Sequence, residues 1–371
     1  NLAFMFPISF ILVFLSSYLI TSTLSKQGSV LGFLYIPIIF FAEIILTLEI
    51  LSFPSAISEK PILFTNAIFL LISVIIFKKT KSKFWKYNIF PFFKKVKNSI
   101  LLDKSLLILS ICYLVFILSA ILLSFIMIVN NGDAESYHVI RAILWTTNHN
   151  LLHTSFPDIR AICLPINSEL IYTWIITLTK NDRFLGFVGF SGYVLSIFAI
   201  FNICSLLKMS MRRKLWIIFI LSSLASVIVQ ASGTETDIII AGLITSSIYL
   251  FWTYLKTQNA PALYISALSY AIAVGTKTTA IIAIPATLLL LITICHFENK
   301  KFKEITKFSG IFCIFFIIFS SYNYILNYID FQNFTTSKSF ITVSKNYYGI
   351  KGIIATFIKH LFLFIDFTGI E

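Results

Sequence analysis

The chain has 371 residues, 58% of them hydrophobic and only 12% charged, with a formal net charge of +13. A soluble domain carries about 25% charged residues, so half that density together with long apolar runs excludes a soluble globular protein and describes a polytopic membrane protein. The positive balance is not a nucleic-acid footprint, because it lies in short loops between apolar runs, where Lys and Arg mark the cytoplasmic side; membrane lipid is an expected partner and nucleic acid is not.

In chain order, apolar runs at 7–24, 31–53 and 61–77 predict three membrane helices. Residues 78–104 then hold nine lysines, from Lys78 to Lys104. The run at 105–129 carries the chain across to a polar stretch, 130–169, with four carboxylates, three histidines and two arginines. A short run at 164–179 precedes a longer one at 184–207 and a basic loop holding Lys208, Arg212, Arg213 and Lys214. Further runs lie at 215–231, 237–255, 262–276 and 278–295; after a third basic loop (Lys300, Lys301, Lys303, Lys307) come 308–328 and 352–368. The expected fold is all-α: a polytopic transmembrane bundle with amphipathic surface helices in the first large outer loop. Residues 1–104 form N-terminal helices plus a basic cytoplasmic loop, 105–295 a catalytic core, and 296–371 the C-terminal helices. With Asn1 at one end and an apolar run near Glu371 at the other, the chain reads as a fragment of a longer one. Five scattered cysteines contain no CxxC and imply no disulfide framework.

If the basic loops share one side, an odd number of crossings separates residues 169 and 208. About 20 residues are needed to span the hydrocarbon, so 164–179 is expected to re-enter rather than cross. Three polar islands then reach the same outer face: 133–169, "SGTETD" at 232–237 and "GTKTT" at 275–279. Each borders an apolar span, where an unneeded charge costs a few kcal/mol. That convergence points to an externally facing active site in a multi-pass membrane protein; the resemblance given below implies the bacterial inner or plasma membrane.

The islands carry chemistry-bearing residues. Asp133 and Glu135 follow a span as Asp-x-Glu, and their side chains share a direction only in extended backbone. The next residues read as an amphipathic surface helix, with Tyr137, Ile140, Ile143 and Leu144 on one side and His138, Arg141 and Asn148 on the other. Asp133 either caps that helix or acts as a base; the two roles are compatible. Glu235 and Asp237 repeat the acid-x-acid pattern, which suits helix-start acids, a divalent cation or a base of raised pKa. Lys277 lies between two apolar runs and reads as a phosphate clamp or a snorkelling lysine. Arg141 and Arg160 are candidate bidentate phosphate ligands. His149 and His153 have zinc-like i, i+4 spacing, but no second pair completes a site. Glu43 and Glu49, within the second run, have no assigned role. No phosphate loop, dinucleotide loop, Gly-x-Ser-x-Gly or His-Glu-x-x-His motif is present.

The ordered pattern of an outward loop opening with Asp133, "SYH..R...W", "R...LP...E", "GTETD" and "A.A.GTKTTA....P" resembles the polytopic GT-C glycosyltransferases, specifically the bacterial family 39-like group related to protein mannosyltransferases and the lipid A aminoarabinose transferase. The resemblance covers residues 105–295. It implies transfer of a sugar from a polyprenyl-phosphate donor to a glycan, lipid or protein acceptor at the outer face. By that resemblance Asp133, with Glu135 beside it, is the catalytic carboxylate, a general base or metal ligand. His138, Tyr137, Arg141, Arg160 and Lys277 bind substrate or its phosphate. Glu135, Glu169 and Asp237 would hold the one cofactor expected, a divalent cation such as Mg or Mn. A polysaccharide polymerase or ligase, a transporter or lipid flippase, and a non-catalytic membrane subunit are the competing readings. They call for arginine-rich outer loops, for inverted repeats with acids at depth, and for no convergence of acids.

Overall fold

The computed structural model describes residues 4–126, 132–336, 341–342 and 345–365, and no strand occurs among them. The first three helices, α1 (Met5–Leu24), α2 (Gly32–Ser52) and α3 (Glu59–Lys79), pack as an antiparallel trio. A short helix, α4 (Phe90–Leu101), leads into α5 (Lys104–Ile126). A π-helical turn (Ala134–His138) runs into α6 (Val139–Asn148), followed by α7 (Arg160–Cys163) and α8 (Asn167–Thr179). The remaining bundle comprises α9 (Gly186–Leu206), α10 (Met211–Ser222), α11 (Ala225–Ser232), α12 (Asp237–Thr257), α13 (Ala260–Thr276), α14 (Thr279–Ile282), α15 (Ile284–Phe297), α16 (Lys303–Phe319) and α17 (Tyr322–Phe331), with α18 (Gly349–Ile365) near the end.

Six helices (α1, α2, α3, α5, α9 and α12) are long and apolar enough to cross a membrane, and eight crossings result if the bent pairs α10–α11 and α16–α17 each count once. A 21-residue helix rises about 30 Å, the thickness of the hydrocarbon. The chain has the helices of a multi-pass membrane protein.

Three expected straight spans are interrupted. The run at 215–231 turns by 77° between α10 and α11. There the Ser223 hydroxyl bonds back to the Ile220 carbonyl at 2.8 Å, a side-chain bond that competes with the helical ladder. The run at 278–295 divides at Ala283, because Pro285 in the first turn of α15 has no N–H to donate to the preceding turn. The run at 308–328 bends by 68° between α16 and α17. Here the Ser320 hydroxyl donates to the Ala271 carbonyl at 2.7 Å, and the freed Phe319 carbonyl accepts the Asn167 amide at 3.0 Å. A partner on α8 thus satisfies the group that the bend exposes.

Charge sorts the two ends of the bundle. At the basic end Gln27 donates to the Lys83 carbonyl (3.1 Å), Arg212 pairs with Asp103 (2.6 Å) and Lys256 with Glu298 (3.3 Å). At the other end Lys180 pairs with Glu59 (2.5 Å), Leu151 N–H bonds the Ser52 hydroxyl (2.8 Å), and Lys277 pairs with Asp237 (2.8 Å). Helix α8 enters and leaves at this second end. Asn167 at its start reaches the closing turns of α13 and α16, and Lys180 just past its end meets Glu59 at the start of α3. The expected re-entrant segment is therefore a helix buried from Asn167 to Leu178.

Close helix contact fixes α9 against its neighbours. A Cβ on Gly192 would lie 2.6 Å from the Ile239 Cα, and one on Gly242 2.4 Å from the Gly192 carbonyl. Small residues at such crossings let backbones approach inside a bilayer.

Candidate functional site

Helix α8 is the hub on which the three polar islands meet. From its first turn Glu169 faces the π-turn and α6, and one turn later Tyr172 donates to the Thr234 carbonyl at 2.8 Å. That bond holds the 233–236 turn, at the head of α12, against α8.

The first island is organised by Arg160. Its guanidinium takes the Asp158 carboxylate through Nε (3.1 and 3.0 Å) and Nη2 (2.7 Å), and its Nη1 donates to Asp133 at 2.8 Å. It also stands 4.7 Å from the centre of the Tyr137 ring. The hydrogen bonds from Arg160 hold the Asp158 carboxyl below its usual range, and Asp158 in turn raises Arg160. Asp133 makes no cap bond to the helix that follows, so its side chain is committed to Arg160 rather than to capping. The backbone at Asp133 and Glu135 is helical, so the two acids diverge by about 200° rather than forming a pair.

Behind this lies a buried charge cluster. His138 Nδ1 lies 2.7 Å from Glu169 Oε1, the Ser168 hydroxyl donates to Oε2 at 2.6 Å, and Arg141 Nη1 stands 3.5 Å from Oε1. Arg141 is 1% exposed and donates to the carbonyls of Leu164 (3.0 Å), Pro165 (3.2 Å) and Arg160 (2.5 Å). Burial pushes the Glu169 carboxyl up, but the charges of His138 and Arg141 and the bonds from His138 and Ser168 outweigh it, so the group is held below its usual range. His138 Nε2 is buried with no hydrogen-bond partner. A π-turn widens the helix by one residue, and here it spans the stretch carrying Tyr137 and His138.

The second and third islands join at Lys277–Asp237, 2.8 Å apart. Glu235, in the same turn as Asp237, lies in the field of Lys277, Asp133, Asp237 and His138. Burial, with the like charges of Asp133 and Asp237, pushes its carboxyl up, against the opposing pull of Lys277 and His138. Carboxylates from residues 133, 235 and 237 thus share one neighbourhood with Arg160 and Lys277.

No family model, curated protein or solved structure matches this chain.

Of the residues singled out in the sequence, Asp133, Tyr137, His138, Arg160, Glu169, Asp237 and Lys277 are brought into one region. Arg141 is not placed to hold a ligand phosphate, since its guanidinium is spent on three carbonyls and Glu169 in the protein interior. The amphipathic reading of residues 137–148 also needs correction. His138 and Arg141 face inward at 3% and 1% exposure, whereas Ile143 is 45% exposed and Asn148 is exposed, so two of the three polar residues turn toward the Glu169 counter-charge instead of toward water. Glu169 is occupied by His138 and Ser168, while Glu135 is exposed. Among the described residues no three His, Cys, Asp or Glu side chains group to hold a metal ion. His149 and His153 part company: His149 Nδ1 meets the Ile57 carbonyl at 2.8 Å, and His153 meets Asp330 at 2.6 Å and Asn323 at 3.2 Å. Sequence reasoning missed Asp158 as the anchor of Arg160, whereas Glu235, singled out there beside Asp237, is the carboxylate where the islands meet. The signal for Asp158 was short-range: an acid two residues before Arg160.

Proposed function

We propose that the chain is an integral membrane glycosyltransferase. It moves a sugar from a polyprenyl-phosphate donor to a glycan, lipid or protein acceptor at the acidic end of the bundle, which faces the non-cytoplasmic side. The observation that carries this reading is the meeting of Asp133, Glu235 and Asp237 with Arg160 and Lys277 at the mouth of lipid-facing helices. An apolar cleft of about 380 Å³, lined by Phe10, Phe40, Trp174, Phe184 and Phe187 among others, borders the opposite side of α8 and gives a prenyl chain an apolar seat across that helix from the charges.

The side chains take the following roles. Asp133, whose carboxyl is 43% exposed, accepts the proton of the acceptor hydroxyl as its oxygen attacks the sugar carbon. Such proton transfer contributes about 10²- to 10⁴-fold. The bond from sugar to phosphate breaks with its electron pair passing to the phosphate. Arg160 and Lys277 meet that phosphate, and each exchanges part of its hold on a carboxylate for a phosphate oxygen. Tyr137 and His138 form the wall behind Arg160. A divalent cation, Mg or Mn, would draw on the Asp237 carboxylate and would supply further charge at the phosphate. Glu169 is better used as the counter-charge of His138 and Arg141 than as a metal ligand.

The test is incubation of the protein in lipid vesicles with a panel of radiolabelled polyprenyl-phosphate sugars and candidate acceptors, with and without chelator. Transfer of label is expected, and Asp133→Asn should reduce it by about 10²-fold or more with membrane insertion unchanged. Retained turnover in that variant removes Asp133 as the base, and no transfer from any member of the panel removes the reading.

A further inference from the structure

At the basic end, remote from the candidate site, α4 lies across the starts of α5 and α10. Val96 and Ile100 pack into a small cluster with Leu106, Leu215 and Phe219, and Phe92 sets its ring 5.5 Å from Phe201 on α9. The other side of α4 mixes two kinds of group that do not ordinarily share a wet surface. Lys94, Lys95 and Lys97 are exposed, and between them Phe90 is 79%, Phe93 57%, Leu101 61% and Leu102 88% exposed. Across from α4, Lys214 donates to the Ser205 hydroxyl at 2.7 Å, stands 5.1 Å from the Phe201 ring and lies in the field of Lys95.

The anions at this end are already engaged. Asp103 pairs with Arg212 at 2.6 Å, Glu298 with Lys256 at 3.3 Å, and Glu304 with Lys307 at 3.0 Å. Phe92, one turn before Lys95, and Lys214 both meet the Phe201 ring, at 5.5 and 5.1 Å, so Lys95 and Lys214 stand on neighbouring elements. The N-terminus of α10, a twelve-residue helix, adds positive potential at the same spot. Like charges held together cost energy unless an anion is shared between them.

We propose that α4 and the start of α10 form a seat for the headgroup of an anionic glycerophospholipid. The phosphate sits between Lys95 and Lys214, and Phe90, Phe93 and Leu102 enter the acyl boundary beside it. The exposed aromatics decide between occupants. A soluble polyanion would answer the lysines but leave the apolar residues in water, whereas a bilayer lipid answers both. The seat also locks α4 to the membrane surface, and through Phe92 it braces α9, the helix that crosses to the acidic end.

The test uses the whole protein, delipidated in detergent and exposed to equal amounts of phosphatidylglycerol and phosphatidylcholine, with bound lipids counted by native mass spectrometry. Phosphatidylglycerol should be retained preferentially, and less so as salt is raised. Lys95→Gln and Lys214→Gln should each weaken retention about fivefold, whereas Lys345→Gln, elsewhere on the chain, should leave it unchanged. Equal retention of the two lipids, or wild-type retention by the Lys95→Gln/Lys214→Gln double variant at unchanged melting temperature, overturns the proposal. Should the double variant unfold, Phe90→Ser with Phe93→Ser provides the independent check, and undiminished phosphatidylglycerol retention there overturns it equally.

Discussion

Glu169 shows at the scale of one residue how a buried charge is made tolerable. It is fully buried, which disfavours ionisation, yet a cation, an imidazole and a hydroxyl converge on its two oxygens. Removing one partner of such a cluster leaves the other uncompensated, at about 3–5 kcal/mol. Glu169→Ala should therefore lower the melting temperature sharply, which thermal unfolding in detergent will measure. The linkage has a definite sign. A carboxyl held below its usual range stabilises the fold above its unfolded pKa of about 4.3; that stability is lost as pH falls through the lower folded value. Glu235 behaves in the opposite way. Its carboxyl is pushed up, so the folded state holds a proton that the unfolded state has released, and stability falls as pH rises from about 4.3. Melting curves of Glu235→Gln and the native protein should therefore diverge as pH rises, with the variant the more stable. Curves that stay parallel would contradict the placement of Glu235 among the carboxylates. The Asp133–Arg160 pair was only half legible in the sequence. Both residues were visible as island charges, but the bond between them depends on a 27-residue return of the chain that no spacing rule encodes.

At the scale of elements, the long apolar helices were the most legible part. The runs at 7–24, 31–53, 61–77 and 184–207 correspond to α1, α2, α3 and α9 within a few residues, because length and hydropathy alone decide them. The interrupted helices were not legible, since their breaks rest on tertiary partners. The bend after Phe319 is stabilised by Asn167, 152 residues earlier in the chain. Asn167→Ala should leave that carbonyl unsatisfied and cost about 1–3 kcal/mol, read as a lower melting temperature. The α9–α12 crossing gives a second check. Gly242→Leu forces the two backbones apart and should destabilise by about 1–3 kcal/mol, whereas Gly310→Ala, with open space around its Cβ position, should be close to neutral. Helix α6 was foreseen, but with its polar side outward. Periodicity reports that a face is polar and does not say whether water or a buried counter-charge receives it.

Across the whole molecule, the division into a basic and an acidic end was readable from the placement of Lys and Arg, and α8 reconciles it with an odd number of crossings between residues 169 and 208. The meeting of residues 133, 235, 237 and 277 around α8 was inferred from parity alone, and the ion pairs and the Tyr172 bond now supply its geometry. Single-cysteine accessibility in sealed, oriented vesicles tests it most directly. Cysteines placed at 133, 237 and 277, one at a time in a cysteine-free background, should react with a membrane-impermeant maleimide from the same side. Cysteines at 97 and 213 should react only from the other. Labelling of positions 133 and 237 from opposite sides would contradict the account.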